Sequence, residues 1–60
     1  MPRYKVILEC NGAVGDAVLT RRVTASSSFA AEFAACQSAG EEYPEYTDIR
    51  AARTEVLKNG

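Results

Sequence analysis

Residues 3 to 10 alternate, with Tyr4, Val6, Leu8 and Cys10 on one side and Arg3, Lys5, Ile7 and Glu9 on the other. This is the period of a half-buried strand. Asn11-Gly12 and Gly15-Asp16 are turn signals, so the chain is expected to reverse between residues 11 and 16. Residues 17 to 25 return, with Leu19, Arg21, Val23 and Ala25 on one side and Val18, Thr20, Arg22 and Thr24 on the other. A tight turn at Asn11-Gly12 pairs Cys10 with Ala13 and Val6 with Ala17. A six-residue loop instead pairs Cys10 with Ala17, Leu8 with Leu19 and Tyr4 with Val23. The two registers differ by an even number of residues, so both keep the same faces together. The longer loop sets Lys5 opposite Arg22, a like-charge contact that is unfavourable unless an acidic group intervenes. Arg21 shares the apolar side; an edge arginine whose stem covers the core while its head reaches water accounts for it, and a β-bulge or a partner carboxylate is the alternative.

Ser26-Ser27-Ser28 marks the change to a helix, because a serine side chain accepts from the free N–H groups of a first helical turn. Alanine-rich sequence follows, and the spacing predicts a helix over 28–39 with Gly40 as a left-handed stop. In helical projection Ala30, Ala31, Ala34 and Ala35 fall on one side and Phe29, Phe33 and Cys36 on the other. A surface helix of an isolated chain has one wide polar face, and this one does not. Glu41, Glu42 and Glu45 form an expected acidic loop around Pro44, with Tyr43 and Tyr46 placed to fold back over the core edge. The last segment reads two ways. Ile49, Ala52, Val56 and Leu57 fit helical spacing, with Asp48 as a cap and Asn59-Gly60 as a stop. An extended reading gives a third strand beside the first, and three strands offer a helix more to pack on than a hairpin does. The expected fold is therefore α+β, β-β-α-β, with a three-stranded antiparallel sheet of order 2-1-3 and the helix on one face.

Length then limits what such a fold can be. Sixty residues make one domain, residues 1–60, with a thin core. Histidine is absent, which removes the usual general base near neutral pH and the commonest metal ligand. Two cysteines without histidine cannot complete a structural zinc shell, so no metal, cofactor or enzymatic activity is expected. No uninterrupted apolar run exceeds four residues, far too short to span a bilayer. Met1-Pro2-Arg3-Tyr4-Lys5 passes into the first alternating segment without the apolar stretch of a secretory signal. The expectation is a cytoplasmic protein in which Cys10 and Cys36 are reduced apolar fillers. Charge is uneven: the first thirty residues carry a net positive charge and the last thirty a net negative one, within a total of −1. A bipolar surface of this kind can orient a partner or a second copy.

The run Tyr4-Lys5-Val6, a glycine-containing hairpin, Val23-Thr24-Ala25-Ser26-Ser27 and then Ala31 and Ala35 on a short helix resembles small β-β-α-β proteins of phages and mobile elements, including some anti-CRISPR inhibitors. The resemblance covers most of the chain as a pattern of core positions. It implies a stoichiometric binder, inhibitor or virion-associated protein acting in the host cytoplasm. Members of that set use different surfaces on different targets, so it assigns no residue a role.

Three surfaces are candidates. Phe29, Phe33 and Cys36, with Tyr43 and Tyr46, point to a protein interface or a homodimer, because alanines and phenylalanines on opposite sides of one helix cannot all face one sheet. Tyrosines capping the second side within a single chain is the opposing reading. Arg3, Lys5 and Arg22, joined by Arg50, could bind phosphates, with Tyr4 stacking if it lies near an edge, so nucleic acid is the alternative partner. Basic residues on a solvated strand face would look the same. Glu41, Glu42 and Glu45 could engage a basic target or simply be solvated. Cys36 lies toward the C-terminal end of the helix, where the dipole favours a neutral thiol and disfavours a nucleophile.

Overall fold

Alternation and turn chemistry yield one antiparallel sheet in the computed structural model, which describes residues 1–57. β1 (Arg3–Gly12) and β2 (Gly15–Thr24) form the hairpin, α1 (Ser28–Glu42) follows, and β3 (Tyr46–Leu57) returns beside β1. The strand order is β2-β1-β3, the expected α+β arrangement of order 2-1-3. The last segment is thus a strand and not a helix. The Asn59-Gly60 stop of the helical reading lies outside the described residues.

The hairpin takes the register of the longer loop: Cys10↔Ala17, Leu8↔Leu19 and Tyr4↔Val23. Pairing continues further than six loop residues would allow, through Asn11↔Asp16 and Gly12↔Gly15. The turn therefore falls at Ala13-Val14 and not at Asn11-Gly12. Gly15 has φ 126°, a left-handed conformation that favours glycine. Asn11 Nδ2 donates to Asp16 Oδ1 at 2.7 Å and ties the last pair together. Lys5 does stand opposite Arg22, and on its other side it stands opposite Glu55, the acidic group that relieves the like-charge contact.

The core lies between the inner sheet face and α1. Val6, Leu8 and Cys10 are fully enclosed, Tyr4 is buried beside them, and Ala31, Ala35 and Ala39 close over them from the helix. Alanine at every fourth helical position lets the backbone of α1 approach the sheet closely. Each fully buried large aliphatic contributes about 1.5–3 kcal/mol, so Leu8 and Val6 on the central strand carry much of the apolar stabilisation.

The start of α1 follows the sequence reading. Ser27 is the N-cap, its Oγ accepting from Ala30 N–H at 3.1 Å. The end does not. Gly40 is helical, and α1 continues to Glu42 before Tyr43, whose N–H donates to Ala39 C=O at 2.8 Å. The stop is supplied by Pro44, which drives the residue before it out of the helical region.

Two side-chain links fix α1 diagonally across the sheet. Near its start, Thr54 Oγ1 of β3 donates to Glu32 Oε2 at 2.6 Å. At its end, the Arg21 guanidinium of β2 donates to Glu42 Oε1. Arg21 therefore has a partner carboxylate, one of the alternatives offered for it, without a bulge in β2, and that hydrogen bond holds its guanidinium more firmly protonated than usual.

Candidate functional site

The outward side of α1 is the first candidate surface. With Ala31, Ala35 and Ala39 docked, helical geometry turns Phe29 and Phe33 away from the core. They are 77% and 65% exposed. Glu32, from the same flank, reaches β3, whereas Glu42 reaches β2, so the phenylalanine side of α1 is its β3 side. Val56 lies on the helix-bearing face of β3, opposite Tyr4, and is exposed as well. Phe29, Phe33 and Val56 are thus exposed apolar side chains on the β3 side of the domain.

Cys36 does not belong to this surface. It is half-buried and packs against the core cluster. Burial pushes its thiol up, and Glu32 and Cys10 add to the effect. Burial raises the Cys10 thiol too. Tyr43 and Tyr46 are also elsewhere: their ring centroids lie 6.2 Å apart with the planes tilted by 60°, past the C-terminal end of α1. They cover neither phenylalanine. The expected five-residue interface therefore resolves into an exposed Phe29–Phe33 pair, a core-facing Cys36 and a separate tyrosine pair.

The outer face of the sheet is the second. Arg3, Lys5 and Arg22 do share it, Arg50 joins them opposite Glu9, and the register adds Arg53 opposite Ile7. Arg50 Nε lies 3.4 Å from Glu9 Oε1 and Arg53 Nε 3.0 Å from Glu55 Oε2. Arg53 was not found from sequence because regular alternation puts it on the face opposite Arg50, and only the register shift at Ala52 brings the two to one face. Tyr4 cannot serve this face, since it is buried on the opposite side of the central strand.

The acidic residues do not form a loop cluster. Glu41 and Glu42 occupy the last helical turn and Glu45 the short connection to β3. No basic residue occupies that turn, so their charges oppose the helix dipole, and Glu42 is offset by Arg21 from β2. A depression of about 310 Å³ near the hairpin end is lined by Glu9, Asn11, Asp16, Val18 and Arg50 among others. Its polar groups are joined in two pairs, Arg50 with Glu9 and Asn11 with Asp16. Among the described residues, cysteine and carboxylate side chains nowhere gather in threes as a metal site would require, and no helix is long and apolar enough to cross a membrane.

Comparison with protein-family models, with curated proteins and with solved structures finds no match for the chain.

Proposed function

We propose that the chain is a non-enzymatic protein–protein interaction module and that the outward side of α1 is where it meets its partner. The observation that carries this reading is the exposure of Phe29 and Phe33, one helical turn apart, on a helix whose alanine side is already docked. Adjacent exposed aromatics are the residue type that anchors protein interfaces. The raised thiols of Cys10 and Cys36 speak against a cysteine nucleophile, and the sequence offers no histidine to activate one. Within this class we place the chain with stoichiometric binders or inhibitors of phage type acting in the host cytoplasm. The β-β-α-β order and the residues that carry the resemblance support that placement, as do two cysteines that stand free.

A second reading rests on the outer sheet face, where five cations meet four carboxylates and Arg3, Lys5 and Arg22 lie together toward one end; such a cationic end suits a phosphate backbone. One experiment addresses both. Wild-type, Phe33→Glu and Arg22→Ala chains are immobilised and used to capture protein and nucleic acid from cell extract at about 50 mM salt. The helix-side reading expects a protein retained by wild type and by Arg22→Ala and lost with Phe33→Glu. Identical protein capture by all three chains overturns it, and nucleic acid lost only with Arg22→Ala establishes the second reading in its place.

A further inference from the structure

β2 is an open edge whose main protection is charge, from Asp16, Arg21 and Arg22. Its pairing with β1 runs from Arg3↔Thr24 to Gly12↔Gly15 without a break in register. It contains no proline, and α1 leans toward β3 and away from it. The other edge, β3, is interrupted by two register shifts. A long, regular, uncovered edge presents a row of main-chain groups that another strand can complete.

The ladder identifies those groups. Ala25 N–H donates to Pro2 C=O at 3.2 Å, and the same antiparallel register continues through β2. Odd-numbered residues of β2 therefore direct their main-chain groups at β1, while Asp16, Val18, Thr20 and Arg22 direct theirs outward.

We propose that this edge takes a second copy of the chain, β2 pairing antiparallel with β2 of that copy about a two-fold axis at Leu19 to give one continuous six-stranded sheet. Charge selects both the occupant and the register. Facing residues must lie on the same side of the sheet, so the central registers for a two-fold pairing are those centred on Val18, Leu19 or Thr20. Centred on Leu19, Asp16 falls opposite Arg22 of the second copy, and symmetry repeats the pair. Val18 then faces Thr20, and Leu19 faces Leu19. Centred on Val18, Arg22 faces Val14; centred on Thr20, it faces Val18, and Asp16 loses its partner in both cases. The charges that guard this edge against an arbitrary strand are thus matched by the chain itself in one register.

The axis stands normal to the sheet, which keeps both helices on one side. The Phe29–Phe33 surface, on the β3 side of α1, stays clear of the seam. Self-association and the helix-side reading above are therefore separable.

The test is sedimentation equilibrium of the full chain over a concentration series, with circular dichroism confirming that each variant folds. Wild type is expected to dimerise. Arg22→Asp, at an exposed position, sets aspartate against Asp16 and weakens association by at least about tenfold. Asp16→Arg combined with Arg22→Asp restores it, and Phe33→Glu leaves it unchanged. In the same series, exchange of the outward Val18 and Thr20 amides slows as concentration rises. A wild type that stays monomeric throughout overturns the proposal. So does a double variant that fails to recover, or dissociation by Phe33→Glu alone, which would move self-contact to the helix. Protein capture reads the helix-side docking separately, so failure of the edge leaves that result standing.

Discussion

At the scale of single residues, Gly12 shows how a turn signal can be right in kind and wrong in purpose. It lies in β1, and a Cβ built on it would stand 2.4 Å from the carbonyl oxygen of Glu45 and 3.1 Å from Cα of Tyr46. Glycine is needed here because the chain entering β3 crosses directly over its backbone. Gly12→Ala is expected to destabilise the fold by about 1–3 kcal/mol, the usual range for forced overpacking, measured as the shift in urea midpoint. Gly40 is the contrast, since a Cβ there would meet nothing within 4 Å, and alanine at that position should leave the midpoint unchanged or raise it. Equal losses at the two glycines would refute the crossing argument. From sequence, both glycines looked like punctuation. Only the path of β3 separates them, and that path is a long-range property.

Among the elements, the strands of the hairpin and the beginning of α1 were legible because each follows its own period and cap. β3 was expected as the third strand from what a helix needs to pack on and not from its own pattern, and its register explains why that pattern was ambiguous. Partners shift between Ile7 and Leu8, skipping Ala52, and again between Asn11 and Gly12, skipping Thr47. Residues facing the helix are therefore Tyr46, Ile49, Ala51, Thr54 and Val56, whose spacings of three and two imitate a helical stripe. Each bulge adds a residue to one strand and inverts the alternation beyond it. That same irregularity hid Arg53 from the basic face. α1 depends on small residues where it touches the sheet: Ala35 is 1% exposed and lies above the central strand's core. Ala35→Leu should lift the helix and cost about 1–3 kcal/mol, while Ala34→Leu, on an exposed position, should be near neutral. Matching urea midpoints for the two variants would show that α1 is not seated through its alanines.

For the molecule as a whole, the sign of its pH dependence above neutrality follows from the two thiols enclosed between helix and sheet. Both are held above the ordinary value of 9.0, chiefly by burial. A group with a raised folded-state pKa contributes stability that is fully present below its unfolded pKa and is lost as pH rises through the folded one. The urea midpoint should therefore fall above about pH 9, and fall less in a Cys10→Val, Cys36→Ala variant. An identical decline in the two chains would remove the thiols as its cause. The order of elements, the inner face of the hairpin and the unmatched side of the helix could all be read from the chain. Where the phenylalanines, tyrosines and Cys36 separate could not, because helix length, Pro44 and the bulges of β3 jointly set that geometry. Division of labour around α1 also bears on how the protein can change. Methyl groups do the anchoring and the benzyl groups none of it, so a combinatorial library randomised at positions 29 and 33 should retain its architecture whatever side chains it carries there.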